Sequence, residues 1–424
     1  MRKFYFVSLL ASFWMFTAVS AVAQTSYFTK QVILVNGGNY SDPDDYVTVA
    51  SYDPASGETT EFATIYTQSV QDVLINAPFA YVAAQDSIVK LNIDTYEKVT
   101  SVAAPGVNKL VTNGDVLVAS FWYPTIENFV RTYTMDDLSL ITEFGGVSGE
   151  ASDMLVMGGN YVMVAIPGAY GSTTGKSAVI DLANNVVMTE SDLGEFFKDI
   201  GFFASWDVLV TVFMRSEYGN NTFRAATINL QGEVVDQFTY DEATLVNPTG
   251  QSGDKFYLEI NNGIAEYDLV NHVLTNTSVV SQQVMSIGAS VMDTINKLFY
   301  LTTTDFFSSG EGFIYNLSGE NAGSFEAGIS AQAIAVDYRE NTGINENLLV
   351  KDLNIYPNPA STTIHFTGLD NSDVTTTEIM NLTGKVICVG KEHKEIDISS
   401  LHTGIYFVKI YTTGSVYTGK FIKN

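Results

Sequence analysis

Between residues 46 and 328, apolar and polar positions alternate in short runs, and the pattern comes round seven times. The copies are YVTVASYDPASGETTEFAT (46–64), IVKLNIDTYEKVTSVAA (88–104), FVRTYTMDDLSLITEFGG (129–146), SAVIDLANNVVMTESDL (177–193), FRAATINLQGEVVDQFTY (223–240), GIAEYDLVNHVLTNTSVV (263–280) and GFIYNLSGENAGSFEAG (312–328). Each is an alternating strand, a tight turn and a second strand. The turns are assigned to Asp53, Asp94, Asp136, Asp181, Asn229, Asp268 and Asn316, spaced by 41, 42, 45, 48, 39 and 48 residues. Asp and Asn side chains bond the backbone two residues on, which nucleates such turns. A period of two places successive side chains on opposite faces of a sheet.

Two more strands precede each copy. In the second unit the four are 71–76, 79–84, 88–93 and 98–103. Four strands per unit at a period near 44 predict an all-β chain, a seven-bladed β-propeller. A single blade cannot bury both faces, whereas a closed ring can. The first unit opens on its second strand, 31–35, and a spare strand, 331–337 (AQAIAVD), follows the seventh unit. That strand is expected to complete the first blade and tie the ring shut.

The edges of the chain read differently. Residues 1–23 carry Arg2 and Lys3, an apolar run and Ala21-Val22-Ala23 before Gln24, the pattern of a secretory signal. No cysteine lies near that site, which argues against a lipid anchor, and no later run is long enough to span a bilayer. The propeller is assigned to 24–340. A polar run, RENTGINEN (339–347), leads into a linker at 341–348, and 349–424 form a separate module of short strands between Pro, Gly and Asn turns, read as a small Ig-like β-sandwich.

Charge and cysteine content narrow the roles. Residues 24–348 hold twelve Lys or Arg against forty Asp or Glu, a net −28, whereas 349–424 balance at seven each. Such a body repels nucleic acid and anionic surfaces. Cys388 is the single cysteine, so no internal disulfide forms and stability rests on core packing and ring closure. A monomer without a resident cofactor is expected.

The last 75 or so residues carry Tyr356-Pro357-Asn358-Pro359-Ala360, Asn381-Leu382-Thr383-Gly384-Lys385, Leu401-His402-Thr403-Gly404-Ile405-Tyr406 and Lys420-Phe421-Ile422-Lys423. This combination resembles the type A C-terminal sorting domain of the type IX secretion system of Bacteroidota. The resemblance implies export by that machinery, removal of the domain, and attachment to the surface or release. It marks Tyr356, Pro357, Asn358, Pro359, Gly404, Tyr406, Lys420 and Lys423 as the sorting signal. Upstream, Tyr81-Val82-Ala83-Ala84 followed by 88–94 is similar to YVTN-type surface-layer propellers. Over roughly 30–340 the chain also resembles Bacteroidota surface propellers that include cobalamin-capturing lipoproteins. It departs from those in bearing a sorting domain where they bear a lipid anchor. WD40 and kelch signatures are absent, and the pair Trp206-Asp207 does not recur.

In a propeller, loops joining second to third strands share a face with the segments between blades. Five such loops are long: NGGNYSDPDDY (36–46), FWYPTIENF (121–129), PGAYGSTTGK (167–176), MRSEYGNNT (214–222) and TTDFFSSGEG (303–312). Those at 85–87 and 261–262 are short. Long loops on a rigid scaffold concentrate function. They carry Tyr40, Trp122, Tyr123, Tyr170, Tyr218, Phe306 and Phe307, rings that stack on planar or sugar-like ligands or on a protein. The competing reading packs these rings against neighbouring loops. Arg215 is placed to meet an anionic ligand group or to pair with one of the many acids.

Several motifs fail. GAYGSTTGKS (168–177) needs a glycine where Tyr170 stands to be a phosphate loop. Asp42, Asp44 and Asp45 begin like a calcium loop, but Tyr46 and Val47 break the EF-hand pattern, leaving only an irregular site. The propeller holds one histidine, His272, placed in a turn on the opposite face, too few for a His-dependent nucleophile or a zinc centre. A sialidase needs an arginine cluster and Asp-box repeats, which are missing. Glu127, Glu150, Asp153, Glu195 and Glu217 lie near the loop-rich face, so a carboxylate pair for a glycan hydrolase or lyase stays open. The leading reading is a secreted or surface protein binding a small molecule (a corrinoid among them), a glycan or a protein on the long-loop face. An envelope scaffold is the third.

Overall fold

The structure, a computed structural model, describes residues 26–168, 171–206, 209–217, 219–229, 233–341, 349–367, 369, 374–381, 386–390, 394–412 and 415–424. Two compact units emerge, one of them Tyr27–Glu340 and the other containing Asn341–Asn424.

The first unit is built from seven four-stranded sheets. In six of them the strands follow chain order, as in Val70–Asn76, Phe79–Ala84, Ser87–Asn92 and Glu97–Ala103. The remaining sheet is composite: Ala331–Asn341 pairs beside Ser26–Asn36, which leads to Val47–Asp53 and Glu58–Ile65. The spare strand therefore completes the first sheet, as its pattern predicts.

Alternation along each strand explains how the sheets stack. In Phe79–Ala84, Ala80, Val82 and Ala84 pack with Ile33, Val35, Val47 and Val49 of the first sheet, while Tyr81 and Ala83 pack with Leu117, Ala119 and Phe121 of the third. The same division recurs between third and fourth sheets (Val130 with Val162 and Ile180), fourth and fifth (Met163 with Val212 and Met214), fifth and sixth (Phe213 with Phe256 and Tyr267), and sixth and seventh (Tyr257 with Phe299). A last core joins Tyr300, Ile314 and Phe325 of the seventh sheet to Val32, Leu34 and Tyr52 of the first. An open stack of seven sheets has six interfaces. Here there are seven, so the stack closes on itself.

Turns between third and fourth strands are short throughout. Asp53, Asp181, Asp268 and Asn316 accept from amides of their turns, Asp268 Oδ1 from those of Val270 and Asn271, and Asn229 Oδ1 accepts from the Glu233 amide. Two assignments are corrected. In the second sheet Asn92, not Asp94, accepts from the amides of Asp94 and Thr95. In the third, Thr134 and Asp137, not Asp136, accept from the Ser139 amide. Asp94 instead meets Lys30 and Arg339, whose Nη2 lies 2.8 Å from Asp94 Oδ1 and whose Nε lies 2.6 Å from Asp337 Oδ1. The displaced acid thus clamps the closing strand to the second sheet. His272 lies in one of these turns at φ 54°, stacked on Phe238.

The second unit has a five-stranded sheet (Leu349–Asp352, Ser415–Lys423, Gly404–Thr412, Val374–Asn381, Val386–Gly390) and a three-stranded one (Asn354–Tyr356, Thr363–Thr367, Glu395–Asp397). Ile364, Phe366 and Ile396 of the smaller sheet share one core with Ile379, Val408, Ile410 and Phe421 of the larger.

Candidate functional site

Loops joining second to third strands, and segments joining one sheet to the next, are bonded together along one face. Tyr40 N donates to Phe306 O at 3.1 Å and Asn39 Nδ2 to Phe307 O at 3.0 Å, linking the loops of the first and seventh sheets. Trp122 N donates to Gly106 O at 2.9 Å, and Tyr123 N to Glu150 Oε1 at 3.0 Å. Gln68 Nε2 reaches Asp42 O at 3.0 Å. The loop backbones are therefore tied, and their side chains are displayed. Tyr40 is 86% exposed, Tyr123 78%, Phe307 53%, Trp122 42% and Phe306 39%. Tyr40, Phe306 and Phe307 form one group, with Trp122 and Tyr123 on the third sheet's loop. Tyr170 and Tyr218 fall outside the described residues.

Sequence reasoning missed two members of this surface. Tyr66, 81% exposed, follows the first sheet's fourth strand and packs edge-on against Tyr46 at 5.2 Å. Ile126, 83% exposed, follows Trp122 and Tyr123. Tyr66 lies in a segment between sheets rather than a long loop, which is why loop length did not flag it. In the acidic loop, Asp45 Oδ2 accepts from Asn39 N and Asp42 Oδ1 from Asp44 N, so two of the three acids shape the turn. No group of three or more His, Cys, Asp or Glu side chains among the described residues is arranged to hold a metal ion.

Between the fourth and fifth sheets the same face opens into a pocket of about 450 Å³, lined by Thr173, Glu195, Lys198, Arg215, Glu217, Asn220, Thr222 and Arg224. Glu195 enters this lining from the short 3-10 turn Glu195–Phe197 in the inter-sheet segment. Arg224 donates to the carbonyls of Glu195 (3.1 Å) and Lys198 (2.9 Å) and stands over the Phe196 ring at 5.3 Å. Arg215 donates Nε to Val246 O (2.9 Å) and Nη2 to Asn247 Oδ1 (3.3 Å). Gly201 makes room for it, since a Cβ there would lie 2.7 Å from Arg215 Cγ. Among the described residues neither guanidinium has a carboxylate within ion-pair distance. Lys198 does, meeting Glu217 closely and Asp199 Oδ2 at 4.0 Å. The Lys198 ammonium holds Glu217 below the usual carboxylate range. Burial, with Glu217 adding to it, pushes Asp199 up, and its Oδ2 is buried without a hydrogen-bond partner.

A polar network runs across the first two strands of several sheets and the segments that enter them. Lys109 Nζ lies 3.2 Å from Asp72 Oδ1. Glu259 accepts from Ser290 Oγ (2.6 Å) and Asn247 Nδ2 (3.1 Å). Asp153 Oδ2 accepts from Phe203 N at 3.2 Å. Lys109 and Arg215 both attract Asp153 and Glu259, yet desolvation dominates and pushes the two carboxyls up, Asp153 to about 6. Asp153 thus belongs to this network rather than to the pocket rim. Glu259, which the sequence did not single out, belongs to it too. Of the other acids named from sequence, Glu195 and Glu217 line the pocket, Glu150 caps Tyr123 N and Glu127 is exposed.

Several of the residues marked by the sorting-domain resemblance come together from the two ends of their unit. Asn358 Oδ1 accepts from Ile422 N (2.9 Å) and its Nδ2 donates to Lys420 O (3.0 Å), while Ala360 N donates to Ile422 O (2.8 Å). The segment bearing Pro357 and Pro359 is thereby fastened to the final strand. Tyr356 stacks on His365 at 5.4 Å. Tyr406 stacks on Phe421 at 5.5 Å, and its hydroxyl donates to His402 O. A Cβ at Gly404 would meet nothing closer than the Tyr406 ring at 3.6 Å. Lys423 is nearly buried, its Nζ donating to Asn424 O. Residues 382–385 of the Asn381–Lys385 turn lie outside the described residues.

Residues 354–424 match the family described as the secretion system C-terminal sorting domain. No curated protein matches the chain significantly. Among solved structures, a hypothetical selenium-binding protein from Sulfolobus tokodaii is similar in fold, with a TM-score of 0.56 at 11% identity over 74% of this chain and 94% of the other. PorZ, a bacterial surface component of the type-IX secretion system of Porphyromonas gingivalis, aligns over 92% of this chain and 58% of its own length, with a TM-score of 0.46 at 11% identity. The first likeness shows a shared fold. The second is too distant to carry an argument. The sorting domain marks the chain as one exported through the type IX system to the cell surface or beyond.

Proposed function

We propose that the seven-sheet body is a closed propeller that captures a ligand outside the cell on its long-loop face, without catalysing its conversion. The observation that supports this is the display of five aromatic side chains, Tyr40, Trp122, Tyr123, Phe306 and Phe307, on loops whose backbones are bonded to their neighbours. Aromatic rings left in water on a fixed frame present apolar area at small entropic cost, since little ordering remains to be done on binding. A ligand with a flat or sugar-like face fits such rings, and corrinoids, haem and glycans all have one. The residues implied by the sorting resemblance would serve the type IX machinery and take no part in capture.

A thermal-shift screen of the full chain against corrinoids, haem, host and plant glycans and calcium tests this. A ligand that binds only the folded state raises the melting temperature. A rise with one ligand, lost in Trp122→Ala or Tyr40→Ala, supports capture by the aromatic face. A rise that survives both substitutions moves the site elsewhere. No rise with any member of the panel turns the reading toward a protein partner.

A further inference from the structure

The pocket between the fourth and fifth sheets lies apart from the exposed aromatics and has a chemistry of its own. The body is strongly acidic, with twelve Lys or Arg against forty Asp or Glu, yet three of those twelve cations line this one pocket. Two are arginines with no carboxylate in ion-pair range among the described residues. Backbone and amide oxygens fix their orientation: carbonyls of Glu195 and Lys198 for Arg224, and the Val246 carbonyl with Asn247 Oδ1 for Arg215. These acceptors are neutral, and the nearest charges act at longer range: Asp153 and Glu259 on Arg215, Glu217 and Asp199 on Arg224. The third cation, Lys198, is held by Glu217, an exposed side chain from the neighbouring loop. Glu217 occupies the ammonium as a tethered carboxylate, where a ligand's own anionic group would otherwise sit.

We infer that this pocket binds an anionic group of a ligand, a carboxylate, phosphate or sulfate, which Arg224 and Arg215 grip and which displaces Glu217 from Lys198. The planar donors of Arg suit such groups, whose oxygens they meet in pairs. Asp199, its buried Oδ2 without a hydrogen-bond partner, stands 4.0 Å from the same ammonium. The site does not depend on the aromatic face, so either can fail alone.

Isothermal titration calorimetry of the full chain with inorganic phosphate, sulfate and galacturonate, at low ionic strength and pH 7, tests the site. Binding of at least one probe is expected. Arg224→Gln is expected to weaken it about tenfold or more, the loss typical of a charge-assisted hydrogen bond. Glu217→Gln is expected to strengthen it severalfold, because the internal competitor is gone. Binding of phosphate or sulfate alone identifies a tetrahedral oxyanion as the ligand group; binding of galacturonate alone identifies a carboxylate. Absence of heat with all three probes overturns the inference, as does binding indifferent to Arg224→Gln or weakened by Glu217→Gln. If Arg224→Gln lowers the melting temperature, Glu217→Gln at its exposed position decides the matter.

Discussion

Replacing Asp153 by Asn removes a charge that the folded body holds at a cost. The carboxyl is desolvated among the first strands, and attraction by Lys109 and Arg215 with the Phe203 amide offsets only part of that penalty. Its proton leaves near 3.8 in the unfolded chain but only near 6 in the folded one. Below pH 4 both states hold the proton and no penalty exists. Between pH 4 and 6 folding takes up a proton, and this group's contribution to stability falls as pH rises. Above pH 6 the folded state bears the full cost. Two pH units correspond to about 3 kcal/mol. Because the side chain keeps some solvent contact, roughly 1–3 kcal/mol is expected. Asn retains an oxygen for the Phe203 amide. For a body of this size each kcal/mol moves the melting temperature by about 1.5 °C. Asn at 153 should therefore melt roughly 2–5 °C higher than Asp at pH 7.5 and at the same temperature at pH 4. Melting both proteins by circular dichroism from pH 3.5 to 8 gives a difference curve, in which the parallel titrations of Glu259 and Asp199 largely cancel. An offset that does not vary with pH, or a variant less stable at pH 7.5, refutes the assignment of the charge penalty to Asp153.

Other consequences are open to equally direct tests. Arg339→Met leaves the fully buried Asp337 without its guanidinium and should cost about 3 kcal/mol in urea unfolding. Deleting 331–341 removes the first sheet's inner strand and should abolish the single cooperative transition; an unchanged melting curve contradicts ring closure. Asn92→Ala removes the side chain that nucleates the second sheet's turn and should cost about 1 kcal/mol. Asn358→Ala should speed amide exchange at Ile422, whose N–H it accepts, while exchange in Thr363–Thr367 stays slow.

Strand alternation made most of the fold readable. A strand such as Phe79–Ala84 is apolar at nearly every position because its two faces serve two different cores, and seven repeats of that pattern signal closure. The turns were harder to place. Asn92 and Asp94 are both good turn residues two positions apart, and only the hydrogen bonds show that Asn92 nucleates while Asp94 turns to Arg339. Arg215, singled out from its loop, lines the pocket between the fourth and fifth sheets. Lys198 and Arg224 escaped notice because one lies between sheets and the other within a strand, 26 residues apart. Glu259 was invisible for a similar reason: its partners Asn247 and Ser290 come from two different sheets.

The closing strand has a consequence for biogenesis. Ser26–Asn36 leaves one edge of its sheet unsatisfied until Ala331–Asn341 arrives, some 300 residues later in synthesis. Exposed edges invite aggregation, and contacts this remote in sequence form slowly. The sorting domain comes after that strand in the chain, at 354–424. A truncated chain that lacks its closing strand also lacks its export address. The order of segments therefore acts as a completeness check: only polypeptides able to finish the ring carry the tag that lets them leave.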